Sequence, residues 1–288
     1  MKKNVLDLIG NTPLLQLDDH VYAKLEFLNP TGSIKDRMVK YMIESAEKSG
    51  ELKPGCTIVE ATSGNTGIYL SMIASIKGYK VKIFMPETMS VERRKLMEAY
   101  GAELVLTENM DEAVKMAEEL GRNEGYFYLD QFNNKNNVLT HRYTTGQEIL
   151  EAMNRIDAFV AGIGTGGTIM GVGQALRERF PDVKLIGILP KDKPNRIEGI
   201  GCYYRDILKE DFLDKIVRVS NTEAFYTARE LAKTKGLLVG PSSGANYFVA
   251  KNLEYERVVT VLPDSGSRYL STGLFGSVSY THLTLPTN

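Results

Sequence analysis

The chain has 288 residues, 43% of them hydrophobic, enough to bury one large core or two interlocked ones. Its 35 Lys and Arg balance 36 Asp and Glu for a formal net charge of -1, which argues against a nucleic-acid partner or a membrane surface. No apolar run reaches the roughly 18 residues of a membrane span, and the polar turn at Asp7 denies the N-terminus the apolar core of a signal peptide.

In chain order, short β-branched runs alternate with longer amphipathic ones. Residues 57–61 read as a strand, 66–77 as a helix, 80–85 as a strand, 91–100 as a helix, 103–106 as a strand and 110–122 as a helix. After a polar stretch at 133–137 come a helix over 144–155, a strand over 158–161, a helix near 169–179 and a strand over 184–189. A strand over 215–219, helices over 221–235 and near 245–253, and a strand over 257–262 follow. This alternation predicts an α/β fold of parallel-rich sheets flanked by helices. The stretch at 133–137 is the expected domain crossing, although spacing alone does not separate two domains from one doubly wound sheet. Residues 277–288, Ser-Val-Ser-Tyr-Thr-His-Leu-Thr-Leu-Pro-Thr-Asn, lack periodicity and resemble a translated adapter, so they are expected to be a non-native tail.

The two cysteines, Cys56 and Cys202, read as small buried hydrophobes in a reduced, cytoplasmic compartment. Three histidines, His20, His141 and His282, have no metal-ligand spacing, so no metal site is expected.

Four segments carry chemistry. In Asn29-Pro-Thr-Gly-Ser-Ile-Lys35-Asp-Arg37, Ser33 followed by Asp36 matches a capping box, which puts Lys35 in the first turn of a helix. A cation there faces the positive end of the helix dipole. That suits an amine whose pKa is to be lowered for Schiff-base chemistry, but a solvated lysine fits the position equally well. In Glu60-Ala-Thr62-Ser63-Gly64-Asn65-Thr66-Gly67, glycines, hydroxyls and an amide crowd a strand-to-helix junction. One hydroxyl would suffice as a cap, and the surplus favours a carboxylate or phosphate site. Gly162-Ile-Gly164-Thr165-Gly166-Gly167-Thr168 contains Gly-x-Gly-x-x-Gly, the dinucleotide fingerprint. The strand at 184–189 ends in Pro190 with no acid at its tip, and Gly-Lys-Ser/Thr is missing, so a nest for a single phosphate remains. Leu262-Pro-Asp264-Ser265-Gly-Ser-Arg-Tyr269 and Gly240-Pro-Ser-Ser-Gly244 each read alone as loops.

Together these motifs resemble the O-acetylserine sulfhydrylase (cysteine synthase) and cystathionine β-synthase family of pyridoxal-phosphate enzymes. The resemblance runs from Ile9-Gly-Asn-Thr-Pro-Leu14 to about Phe275 and includes Gln131-Phe132, Ile197-Glu-Gly-Ile-Gly201, Ser242-Ser-Gly-Ala245 and the run from Asp264 to Thr272. It implies the two-domain tryptophan-synthase-β-like fold, pyridoxal-phosphate fold type II. Residues 36–138 would form the small domain, and 1–35 with 139–276 the large one. It implies that Lys35 carries pyridoxal 5'-phosphate as a Schiff base and moves the α-proton. Asn65 would bond the ring oxygen, and Thr62, Ser63, Gly64 and Thr66 would grip the substrate carboxylate with Gln131. Gly164, Thr165, Gly166, Gly167 and Thr168 would cradle the phosphate, and Ser265 would face the pyridine nitrogen.

The implied reaction is β-replacement, O-acetyl-L-serine and sulfide giving L-cysteine and acetate through an α-aminoacrylate. A neutral serine partner for the ring would favour prompt loss of acetate over a long-lived carbanion. The family also implies a homodimer and a binding site for the C-terminal tail of serine acetyltransferase. The linker between Leu189 and Ile197 is shorter than in many cysteine synthases, and Cys202-Tyr-Tyr204 stands where many have small residues, so a bulkier thiol could replace sulfide. The rival reactions are cystathionine formation and serine or threonine dehydration by β-elimination. A nucleotide-binding oxidoreductase rests on residues 162–167 alone, and the absent acid argues against it.

Overall fold

The computed structural model describes residues 2–62, 64–201 and 207–276. Ser63 of the expected carboxylate loop, Cys202 and the expected tail at 277–288 lie outside the described residues.

The chain opens with a short hairpin of β1 (Leu14–Gln16) and β2 (Val21–Leu25), then enters α1 (Lys35–Ser49). The next run is β3 (Thr57–Ala61), α2 (Asn65–Lys77), β4 (Lys80–Pro86), α3 (Val91–Ala99), β5 (Glu103–Thr107), α4 (Met110–Gly121) and β6 (Tyr126–Tyr128). These four strands form one parallel sheet in the order β5-β4-β3-β6. Two helices, α5 (Asn136–Tyr143) and α6 (Thr145–Ala152), lead into β7 (Ala158–Gly162), α7 (Gly167–Arg179), β8 (Lys184–Pro190) and β9 (Lys215–Val219). The described chain closes with α8 (Asn221–Lys235), α9 (Pro241–Lys251) and β10 (Val258–Leu262). The second sheet has the order β1-β2-β10-β7-β8-β9, all parallel except β1.

Burial explains the strand sequences. β10, Val-Val-Thr-Val-Leu, is buried at every position, as a central strand covered by helices on both faces must be. Helix α2 is buried over residues 66–74, so it carries no polar face and sits between the small sheet and α1. Separate apolar clusters fill the two faces of each sheet.

The structure departs from the sequence reading in four places. β1, β2 and β6 were not expected, and two of them have only three residues, too few for a periodic signal. The polar stretch at 133–137 is not all loop, since α5 begins at Asn136 and buries Asn137, Val138, Thr140 and His141. Helix α9 starts at Pro241, the favoured first helical position, and not near 245. The capping box at α1 does not form: the N-cap is Ile34, and no side chain caps the helix. Ser33 Oγ accepts from the Lys35 N–H at 3.1 Å, but Asp36 turns back to accept from the Thr31 N–H at 2.7 Å and from the Thr31 hydroxyl. The proline-led turn satisfies Asp36 before the helix can.

A buried ionic cluster fixes the first turn of α1. Arg37 bonds Glu26 through Nε at 2.7 Å and Nη2 at 2.9 Å, and bonds Glu148 of α6 through Nη1 at 2.6 Å. Lys24 of β2 completes Glu148 at 2.6 Å, and Thr12 donates to Glu26 at 2.6 Å. Bidentate geometry and full pairing are what make such burial tolerable. No helix among the described residues is long and apolar enough to cross a membrane.

Candidate active site

Both sheets end their parallel strands toward the same region, where open α/β sheets place ligands. The segments that follow β3, β7 and β10 meet there, and the start of α1 brings Lys35. Lys35, Asn65, Asp264 and the segment from Gly164 to Thr168 line an inner cavity. An outer cavity shares Lys35, Asn65, Gly164 and Thr165 with it, and adds Thr62, Thr66 and Gln131.

The glycine segment is shaped to receive an anion. Gly166 sits at φ 93, in the left-handed region, and no side chain caps the N-terminus of α7. Past the Gly167 N–H, which Thr165 Oγ1 accepts at 3.3 Å, the first turn of that helix offers its N–H groups to a ligand. A Cβ on Gly167 would lie 1.9 Å from Asn137 Oδ1, so only glycine lets α5 pack this closely. Asn137 Nδ2 donates at 2.9 Å both to Thr165 Oγ1 and to the Gln131 carbonyl, joining the glycine segment to the end of the small sheet. His141 Nδ1 lies 3.0 Å from Thr145 Oγ1 and Nε2 lies 3.4 Å from Thr168 Oγ1. Burial first, then the charges of Lys35 and Arg37, push the His141 pKa well down, so the ring is neutral at neutral pH. Sequence reasoning missed Asn137 and His141. They stand four residues apart on one helical face, a signal present in the pattern but masked by the polar residues around it.

The loop after β3 is held from two sides. Thr62 Oγ1 accepts from the Gly64 N–H at 3.0 Å, and Thr66 donates to Gln131 Oε1 at 2.7 Å. Gln131 Nε2 donates to the Ala61 carbonyl at 2.9 Å, and the Gln131 side chain also bonds the Glu60 carboxyl. Glu60 lies wholly inside and accepts from Ala61 N–H at 2.9 Å; burial pushes its pKa well up. Arg93 of α3 covers the loop: a Cβ on Gly64 would come 2.1 Å from Arg93 Cδ. Its guanidinium pairs with Glu198 and lies 4.8 Å from the centre of the Tyr269 ring. Arg93 was not singled out from the sequence, where it is one of four charges in a row.

Asn65 is oriented by two partners. Its Nδ2 donates to Asp264 Oδ2 at 2.7 Å, and its Oδ1 accepts from Arg268 Nη1 at 2.6 Å. One N–H of Asn65 remains for the cavity. Ser265 is the sequence-predicted site residue that does not join the others. Its hydroxyl lies 2.9 Å from Ser267 Oγ and accepts the Ser267 N–H at 3.3 Å, as the cap of the turn over Gly266–Thr272. Ser265 is not among the residues that line the inner cavity, and the adjacent Asp264 is.

Known proteins agree with this geometry. The family model described as "Pyridoxal-phosphate dependent enzyme" matches residues 5–264. The chain belongs to the pyridoxal-phosphate-dependent enzyme family. Within that family, it is 46% identical to a cysteine synthase of Staphylococcus aureus, over 94% of this chain and 96% of the relative. The crystal structure of a cysteine synthase from Entamoeba histolytica superposes with a TM-score of 0.91 at 36% identity, covering 98% of this chain and 93% of that one. An O-acetylserine-dependent cystathionine β-synthase from Helicobacter pylori matches with a TM-score of 0.89 at 36% identity, covering 96% and 99%. Such neighbours establish the fold as that of the pyridoxal-phosphate enzymes of type II.

The residues present fit pyridoxal phosphate. The uncapped start of α7 and its glycines suit the phosphate, the remaining Asn65 N–H suits the ring oxygen, and the Lys35 amine stands at the same cavity. Lys35 is half-buried and occupies the first residue of α1.

Proposed function

We propose that this protein is a cysteine synthase, which replaces the acetoxy group of O-acetyl-L-serine with sulfide to give L-cysteine and acetate. The observation that carries the reading is the convergence of three parts on one space: the Lys35 amine, the uncapped α7 terminus and the loop held by Thr66 and Gln131. The similarity to cysteine synthases over nearly the whole chain supports it.

Bound pyridoxal phosphate supplies an electron sink conjugated to the substrate α-carbon. Gly164, Thr165, Gly166, Gly167 and Thr168 hold the phosphate, with His141 steadying Thr168. Thr62, Ser63, Gly64, Thr66 and Gln131 grip the substrate carboxylate. That grip fixes the α-carbon beside Lys35, which takes the α-proton as base and later returns it. Arg93 and Glu198 close the outer cavity and limit water there.

The reading extends to a cytoplasmic homodimer with units at 36–138 and at 1–35 plus 139–276, and to 277–288 as a dispensable tail. It also extends to the C-terminal tail of serine acetyltransferase, whose terminal carboxylate matches the loop at 62–66.

The test is sequential mixing of the holoenzyme. O-acetyl-L-serine alone is expected to shift the visible band of the cofactor and release acetate, and sulfide added afterwards to restore the band and yield cysteine. Serine with homocysteine is expected to be much poorer. If serine works as well as the ester, the cystathionine reaction replaces this one; if neither perturbs the band, the assignment fails.

A further inference from the structure

The loop after β3 contains a joint that its own hydrogen bonds do not fully fix. Gly64 stands at φ 156 and ψ -71, a conformation that residues with side chains rarely adopt. Glycine has more backbone freedom than any other residue, so a loop keeps one shape there only if its surroundings impose it. Arg93 of α3 does this. Its side chain runs across Gly64, where Cδ and Nε fill the space that a Cβ would need. The Arg93 side chain is 2% exposed, and its Nε is buried without a hydrogen-bond partner. What keeps the shaft against the glycine is therefore the grip on the far end of the guanidinium.

That grip comes from distant parts of the chain. Nη1 of Arg93 bonds Glu198, and the guanidinium carbon lies 4.8 Å from the centre of the Tyr269 ring. The ring is itself held, because the Tyr269 hydroxyl donates to Asp264 Oδ2 at 2.6 Å. Tyr269 belongs to the turn Gly266–Thr272, and its neighbour Arg268 donates to Asn65 Oδ1 at 2.6 Å. One turn thus supports two consecutive loop residues, Asn65 directly and Gly64 through Arg93. The start of α3 is fastened to the same turn: Ser271 donates to Glu92 Oε2 at 2.8 Å, and Ser90 to the Arg268 carbonyl at 3.4 Å.

We propose that Arg93 is a positioning residue for the substrate carboxylate, which it serves by pressing Gly64 into the binding shape of the loop while Glu198 and Tyr269 hold its charged end; this rests on the cysteine-synthase reading of the site. Arg93 touches neither the α-carbon nor the leaving group in this scheme. Its contribution is spent on the carboxylate-bearing substrate and not on sulfide, which has no carboxylate to place. A loop held in advance binds more tightly because less conformational freedom is lost on binding.

The experiment is steady-state kinetics of the holoenzyme with O-acetyl-L-serine, its methyl ester and sulfide. Arg93→Met keeps most of the shaft and removes the charge. It is expected to raise KM for O-acetyl-L-serine about tenfold, the scale of a partly buried ion pair together with a cation–π contact. Selectivity for the acid over the methyl ester should fall by the same factor. The KM for sulfide and the visible band of the bound cofactor should not change. Arg93→Lys, which still offers Glu198 a cation, is expected to recover most of the loss. A wild-type KM for O-acetyl-L-serine in Arg93→Met overturns the proposal. So does a loss shared equally by acid, ester and sulfide, and so does a lysine variant no better than the methionine one. Failure of the underlying reading is seen in the wild type alone, as a visible band that O-acetyl-L-serine leaves unmoved.

Discussion

Thr66 donates its hydroxyl proton to Gln131 Oε1 across 2.7 Å, joining the first turn of α2 to the segment that leaves β6. Both side chains are buried, Thr66 at 2% and Gln131 at 4% exposure. Because Gln131 also grips the Ala61 carbonyl, this one bond sets the shape of the loop that receives the substrate carboxylate. Removing it with Thr66→Val leaves a buried acceptor unpaired, a loss of about 1–3 kcal/mol. The expected result is a fall of about 5- to 150-fold in kcat/KM for O-acetyl-L-serine, carried by KM. The visible spectrum of bound cofactor should be unchanged, and steady-state kinetics beside that spectrum check both halves.

Lys35→Ala is expected to leave no cofactor on the chain after borohydride reduction and to lower turnover about 10³-fold, the scale of losing a positioned general base. Peptide mapping of the reduced wild type should find the pyridoxyl group on Lys35. Its appearance on any other lysine overturns the assignment.

Gly167→Ala forces a Cβ to within 1.9 Å of Asn137 Oδ1, and either α5 or the phosphate loop must shift. Cofactor affinity is expected to drop at least tenfold, about 1.4 kcal/mol. Titration of the apoenzyme with pyridoxal phosphate measures this. In the double variant with Asn137→Ala, part of the affinity should return because the colliding atom is gone. Equal affinities for wild type and Gly167→Ala would contradict the close approach.

Stability should have an acid limb that belongs to Glu148. Burial alone pushes its pKa up, but the bonds from Arg37, Lys24 and the Asn11 N–H outweigh burial and bring it from 4.5 down to about 2. A carboxyl depressed on folding stabilises the protein above its unfolded pKa and loses that contribution as pH falls. The contribution is on the order of 3 kcal/mol, full above about pH 4.5 and declining toward pH 2. Denaturant unfolding at a series of pH values should show this decline in wild type. In Glu148→Gln the protein should be less stable at neutral pH and the decline much shallower.

Much of the fold could be read from residues alone because the buried parallel strands are continuous apolar runs, as in β10 and β7, set between amphipathic helices. Lys35 could be placed because Pro30, Gly32 and Ser33 mark the start of a helix whatever surrounds it. The parts that escaped depend on contacts distant in sequence. Asn137 looks like one more polar residue until α5 packs on α7. Whether Asp264 or Ser265 turns inward is decided by backbone bonds from Ile34 to Pro263 at 2.8 Å and from Ser265 to Gly32 at 3.1 Å. Those bonds pair a segment near residue 33 with one near 264, and no local pattern announces such a pairing.

The cluster behind Lys35 has one further property. Glu26 and Glu148 carry two formal negative charges, and Lys24 and Arg37 carry two positive ones. Arg37 lies only two residues beyond Lys35, yet its charge is cancelled within hydrogen-bond distance. The group is neutral overall, with charges of opposite sign interleaved, although the Arg37 charge still reaches His141. It ties the backbone two residues beyond the reacting lysine to the segment after β2 and to α6. The position of the reacting lysine therefore depends on a contact between residues 111 apart in the chain, and a substitution at either end of it is felt at the other.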